Sequence, residues 1–334
     1  MKYMVGSERI LALVVLAVIS VGLCGVASTG GRQVKQPLQT EKLVASRKLQ
    51  AAQEVVRKER IARGLPINED DRLNTGWIGL PTSGLTTDKG FLQAKRSTTN
   101  PNLGAAMVQM LADAGVKRGD AVAIGMSGSF PALNTAAIVA TETLGAYPIT
   151  ISSVGASQWG ANEAGWTWLQ IEDALARAGI ISHRSVAISR GGSLRDDPTT
   201  VSNLDKVLLE NRSILRGNHI HVINDGNIRH SIERRVMLYG EAAKGRRIAV
   251  FVNVGGNIAN VGSKHTNNLF ATSAQGTMGI MAGKGVKTID TRHIKNLCVA
   301  YGLPWDPTTM PLVGEGDLYY KSESSPELAG GCLV

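Results

Sequence analysis

The sequence predicts an α/β fold: a mostly parallel sheet with helices on both faces, a Rossmann-like three-layer arrangement. Three observations lead there. Short apolar runs alternate with helical stretches from residue 120 onward, the rhythm of strand–helix units. Those runs are nearly continuous in apolar character, as strands buried on both faces require. Most of them end in loops rich in Gly, Ser, Asn or Asp, residues that turn a strand into a helix and cap the helix that follows.

The elements follow in order. Asn100-Pro101 reads as an N-cap with proline at the first helical position and opens a helix to about Gly115. Asp120-AVAIGMSGS is the first strand and its loop, and Pro131 to Gly145 the next helix. Tyr147-PITISSVGAS is a second strand, followed by a helix from Glu163 to Gly179 with Leu169, Ile171, Ala174, Leu175 and Ala178 on its buried face. Ser185-VAISRGG is a third strand, Thr199 to Leu215 a helix, His219-IHVINDGN a fourth strand and Ile228 to Gly245 a helix. Arg247-IAVFVNVGGN is a fifth strand, and Thr288 to Tyr301 reads as a last helix closed by Gly302 and Pro304. Asn74 to Ser97 is Gly/Thr-rich and reads as irregular.

Ahead of this body lies different material. Ile10 to Ala27 is eighteen residues without a charge, long enough for a helix to cross the ~30 Å hydrocarbon layer. Rival readings are a cleaved signal peptide with Gly25 and Ala27 before the cut, a lipoprotein site at Cys24, and a buried core helix. Thr40 to Arg63 is rich in Ala, Glu, Gln, Lys and Arg and reads as a helix with a thin apolar stripe of Val44, Leu49, Ala52 and Val56. A solvated stalk near the membrane surface fits that pattern, and a partner-binding helix is the alternative. The expected division is an anchor over 1–30, a basic helical stalk over 31–70, the α/β domain over 71–315 and a tail over 316–334.

Composition narrows the function classes. Apolar residues are 43% and charged residues 19% of the 334, which excludes a wholly disordered chain and a multi-span membrane protein. The formal charge is +9, but the first 65 residues hold 11 Lys/Arg against 4 Asp/Glu, so +7 belongs there and only +2 to the rest. That distribution disfavours nucleic acid as a partner and favours membrane lipid beside a basic stalk. Aromatic residues at 4% also argue against stacking on single strands. No phosphate-binding GxxxxGK[ST] occurs and no GxGxxG follows the first strand, so no cofactor is expected. The three cysteines, Cys24, Cys298 and Cys332, form no metal or disulfide framework. His219 and His221 alternate on one strand, but no third ligand completes a metal set by spacing.

In open parallel sheets, ligands bind beyond the carboxyl ends of the strands. The loops there offer Ser129, Ser153, Ser157, Arg190, Gly255, Gly256, Asn257 and Lys264 as candidate ligand-binding residues. Backbone N–H groups and small hydroxyls in such a crevice suit a carboxylate or phosphate. Arg195, Lys264 and His265 could add local positive charge beside Arg190. Ser127 sits between a strand and a helix, as a nucleophile elbow does, although Ser129 stands where that motif has glycine. Asp225 and His230 follow in the chain order Ser, Asp, His, which makes Ser127, Asp225 and His230 the candidate catalytic set. An N-cap role for Ser127 or Ser129 is the structural alternative. Trp159, Trp166 and Trp168 suit a pocket mouth or ordinary packing equally well.

Four segments also carry a family resemblance: Asn74-TGWIGLPTSGLTTDKG, Ala121-VAIGMSGSFPALN, Ile151-SSVGASQWGAN and Val254-GGNIANVG. Together they resemble the poly-gamma-glutamate system proteins, over about residues 38–315 and with an anchor ahead of them. The resemblance implies a role at the membrane in making, exporting or handling poly-γ-glutamate, with that polymer or components of its synthase as partners. It brings no catalytic residues. The expectation is an accessory protein that binds an anionic ligand or a synthase partner at the strand-end crevice. The alternative is a serine-dependent hydrolase or amide-bond transferase acting on γ-glutamyl chains.

Overall fold

The computed structural model describes residues 6, 10–20, 32–192, 204–225, 227–262 and 276–323. Two compact units divide the chain. The smaller comprises residues 1–39 and 315–334. In it, Arg32–Lys35 pairs antiparallel with Tyr320–Glu323, and residues 10–20 are helical. The strand at 320–323 stands where a loose tail was expected. Among the described residues no helix is long and apolar enough to cross a membrane. The expected spanning helix over Ile10–Ala27 therefore finds no support, and residues 21–27 of that run lie outside the described residues.

The larger unit, residues 40–314, is an α/β body. Its sheet has six strands: β1 Ala121–Met126, β2 Tyr147–Ser153, β3 Ala187–Ser189, β4 His221–Ile223, β5 Ile248–Val254 and β6 Lys287–Asp290. They run in the order β6-β5-β1-β2-β3-β4, and every pairing is parallel. The helices in chain order are α1 Gln39–Ala62, α2 Leu92–Ser97, α3 Leu103–Asp113, α4 Pro131–Thr143, α5 Trp168–Arg177, α6 Leu204–Glu210, α7 Arg212–Gly217, α8 Ile228–Ala243, α9 Ile258–Val261, α10 Thr277–Gly283 and α11 Ile294–Ala300.

Alternation along the strands builds the core. Ala123 lies beside Ile149 on one side and Phe251 on the other. This face, with Ala121, Ile151, Ala187 and Ile223, packs against Leu238, Tyr239 and Ala243 of α8 and against Met278 and Met281 of α10. The Tyr239 ring meets Phe251 edge-on at 5.7 Å, and its hydroxyl donates to the Ile124 carbonyl at 2.9 Å. Ile188, of opposite parity, packs with Leu169 of α5, Val207 of α6 and Leu215 of α7. Both faces of the sheet are thus covered, which is why the strands carry so few polar residues. α4 is buried along most of its length. Its threonines survive there because Thr135 and Thr141 donate back to the carbonyls of Pro131 and Ala137.

Three sequence expectations need correction. Lys287–Asp290 is the sixth strand, where a helix from Thr288 was expected, and the helix is confined to α11. A four-residue run with β-branched Thr288 and Ile289 has too little periodicity to separate strand from helix. Second, α1 is no solvated stalk. Ala45, Leu49, Ala52 and Val56 are buried, and Ala45 lies so close to Gly104 of α3 that a Cβ there would sit 2.7 Å from its backbone. The buried Arg60 guanidinium also pairs with Glu163 at 2.5 Å. Third, the stretch from Asn74 to Ser97 is not wholly irregular. Thr86–Asp88 pairs parallel with Ala156–Ser157, and α2 follows it.

Candidate functional site

The sheet order reverses beside β1. The chain steps from β1 through β2 and β3 to β4 on one side, then β5 returns to the other side of β1. Loops leaving β1 and β5 therefore diverge, and a crevice opens at their carboxyl ends. A cavity of about 220 Å³ lies there. The loops after β1, β2, β3, β5 and β6 supply one part of its wall, and residues 87–95 supply the other.

Hydroxyls and glycines shape the floor. Ser129 donates its backbone N–H to Ser127 Oγ at 3.3 Å, and Ser157 donates its backbone N–H to Ser129 Oγ at 3.0 Å. The first bond braces the β1 loop and the second ties it to the β2 loop. Gly255 has φ +91°, and a Cβ on it would sit 2.1 Å from Ser127 Oγ. Glycine is required at this position both for its backbone conformation and for the approach of the β5 loop to Ser127.

Lys95, on α2, is the chemical centre of the cavity. Its side chain is buried, and its Nζ donates to the Ser129 carbonyl and to Ser157 Oγ at 2.7 Å. The ammonium also sits 3.9 Å from the centroid of the Phe130 ring. No carboxylate lies within ion-pair distance of Lys95 among the described residues. Burial therefore acts on it without a counter-charge and pushes its pKa down to about 7. The other inner cation, Arg292, is already matched: its Nε lies 2.8 Å and 3.0 Å from the two carboxylate oxygens of buried Asp290. Asn253 donates to the same carboxylate at 3.0 Å and to the Gly255 carbonyl at 2.9 Å, so the β5 and β6 ends are locked together.

Ser127, Ser129, Ser157, Gly255, Gly256 and Asn257 line this cavity. Asn257 also caps α9, accepting the Ala259 N–H at 2.9 Å. Ser153 is not part of the lining: it is fully buried against Gly191, and its Oγ has no hydrogen-bond partner among the described residues. Arg190 is turned away to Asp205, with Nε 3.0 Å and Nη2 2.5 Å from its carboxylate, and to Asn224. Lys264, His265 and Arg195 lie outside the described residues.

The candidate triad is not brought together. Ser127 lines the cavity, whereas Asp225 and His230 line a different hollow with Glu233 and Arg234. There Asp225 lies 3.9 Å from the Arg234 guanidinium, and His230 is exposed. The tryptophans serve packing: Trp166 and Trp168 are buried, and Trp159 donates to Asp70 at 2.8 Å. His219 and His221 border an apolar hollow with Leu208 and Leu209. Among the described residues no cluster of His, Cys, Asp or Glu is suited to hold a metal.

Sequence reasoning missed Lys95 entirely. It stands next to Arg96 in a six-residue helix, where a pair of cations reads as solvated surface. Comparison with family models, with curated proteins and with solved structures found no match.

Proposed function

We propose that the switch-point cavity binds a carboxylate-bearing glutamyl ligand, and that the chain is a membrane-anchored accessory protein of poly-γ-glutamate synthesis or export. The observation that carries this reading is the burial of Lys95 with no carboxylate beside it among the described residues. Unpaired buried cations are costly, and a site that retains one is suited to an anion that completes it. The hydroxyls of Ser127, Ser129 and Ser157 around the same cavity suit the remaining oxygens of such a ligand.

A second observation supports the polymer as the source of the ligand. Each of the four segments that resemble the poly-gamma-glutamate system proteins contributes to the lining of this one cavity, among them Thr87, Ser127, Ser157 and Gly255. The near-neutral body suits capture of a chain end or a short segment more than condensation of a long polyanion. Anchoring rests on the uncharged run Ile10–Ala27 and the basic residues after it, with anionic lipid as the nearest partner.

Calorimetry on the full chain in detergent tests the reading. Titration with short γ-linked glutamate oligomers is expected to give saturable binding that Lys95→Met weakens at least tenfold. An absence of binding to the wild-type chain, or unchanged affinity in the variant, overturns it.

A further inference from the structure

We infer that Ser157 and Lys95 form a nucleophile–base pair, so that the cavity cleaves or transfers an amide bond of the ligand it binds. This inference rests on the binding reading above and assigns chemistry to the same cavity. Three features of the geometry support it. The Ser157 hydroxyl and the Lys95 amine are 2.7 Å apart, within the reach a general base needs. Both are enclosed: Ser157 is 9% and Lys95 2% exposed. Ser157 also borders the cavity, where an acyl group could meet its oxygen.

The surroundings let the neutral amine and the ammonium coexist near neutral pH, the ammonium serving to hold an anion and the amine to take a proton. Burial lowers the Lys95 pKa to about 7, so a large fraction of the amine is free at neutral pH. With one hydrogen of the neutral amine donated to the Ser129 carbonyl, its lone pair is free to accept from Ser157. The 2.7 Å contact then runs in the other direction, with the serine hydroxyl donating to Nζ. A buried lysine of this kind is a recognised general base. Ser127 Oγ accepts the Ser129 N–H, which leaves its own proton as a donor for a developing oxyanion in the cavity.

The steps balance without a cofactor. Ser157 Oγ attacks the amide carbonyl carbon and its proton passes to Lys95 Nζ. The tetrahedral intermediate collapses, the C–N bond breaks, and the Lys95 ammonium returns the proton to the leaving amine. An acyl ester remains on Ser157. Water, or the amine of another glutamyl unit, then attacks the ester carbon and gives its proton to Lys95. The ester C–O bond breaks and that proton restores the Ser157 hydroxyl. The outcome is hydrolysis with water and transpeptidation with an amine. This pair replaces Ser127, Asp225 and His230, which the fold keeps apart.

The test uses the full chain in detergent with a fluorophosphonate probe and with γ-glutamyl p-nitroanilide. Intact-mass and peptide analysis are expected to find one phosphonyl adduct, on Ser157. Nitroaniline release is expected to rise with pH around a midpoint near 7, where Lys95 loses its proton. Ser157→Ala removes both signals. Lys95→Arg cannot act as a base at neutral pH, so it should lose about 100-fold or more in acylation rate. Circular dichroism and thermal unfolding check that both variants fold. No adduct on wild-type protein, an adduct on another residue, or unchanged labelling in Lys95→Arg overturns the inference. If γ-linked oligomers still bind in that event, the binding reading stands and only the chemistry fails.

Discussion

Replacing Lys95 with methionine should make the protein more stable at mildly acid pH while weakening its ligand affinity at least tenfold. Methionine keeps the unbranched stem as far as the ε position and removes the amine with its charge. The magnitude follows from the depressed pKa. A fall from 10.5 to about 7 on burial corresponds, at ~1.4 kcal/mol per pH unit, to roughly 5 kcal/mol of destabilisation when the amine is charged. The variant loses the bonds to the Ser129 carbonyl and Ser157 Oγ and the contact with Phe130, together about 2–4 kcal/mol. A net gain of about 1–3 kcal/mol is left at pH 6. The sign with pH is fixed by linkage. The folded pKa lies below the unfolded one, so the unfolded chain holds more protons between about 7 and 10.5 and wild-type stability rises through that window. About 3 kcal/mol of the difference between wild type and variant should disappear between pH 6 and pH 9.5. Urea unfolding of both proteins at several pH values measures it. A difference independent of pH, or a variant less stable than wild type at pH 6, would refute the claim that burial disfavours the Lys95 ammonium.

Other perturbations probe the rest of the body. Burial raises the Glu172 pKa to about 7, offset in part by the Ser185 hydroxyl at 2.8 Å; its folded pKa exceeds the unfolded one, so wild-type stability should fall between about pH 4.5 and 7. Glu172→Gln should therefore gain up to roughly 3 kcal/mol on wild type at pH 8 relative to pH 4, measured by urea unfolding across pH. Gly255→Ala meets both a positive φ and Ser127 Oγ and should cost about 2 kcal/mol and weaken oligomer binding, read by thermal unfolding and calorimetry. Arg60→Ala strands the Glu163 carboxylate and should cost about 3–5 kcal/mol, with Arg60→Met/Glu163→Leu recovering most of it. An unchanged Tm in Arg60→Ala would indicate that α1 is a detached stalk after all.

Strand–helix alternation was legible because β1, β2 and β5 are apolar runs long enough to stand out, each ending in a loop of small polar residues. β6 was not legible: four residues give no period, and only pairing with β5 makes Lys287–Asp290 a strand. The packing of α1 was hidden for a related reason. Leu49, Ala52 and Val56 read as a stripe too thin to imply burial, and Ala45 and Ser46, which widen it, read as indifferent helix residues; Ser46 shows its role by accepting the Ala105 N–H at 3.1 Å. At the site, the serines and glycines could be read from the strand ends because topology dictates that those ends converge. Lys95 could not, because it comes from outside the strand–helix rhythm. The short pairing of Thr86–Asp88 with Ala156–Ser157 brings its segment to the cavity, and nothing local signals that pairing. The proposed triad failed because chain order carries no distance.

Hydrogen–deuterium exchange with and without γ-linked glutamate oligomers tests the central claim most directly. Ligand-dependent protection is expected in residues 86–97, 127–130, 155–157 and 255–257 together. Protection confined to the hollow around Asp225 and His230, or no protection at saturating oligomer, would contradict a binding site at the β1/β5 switch point.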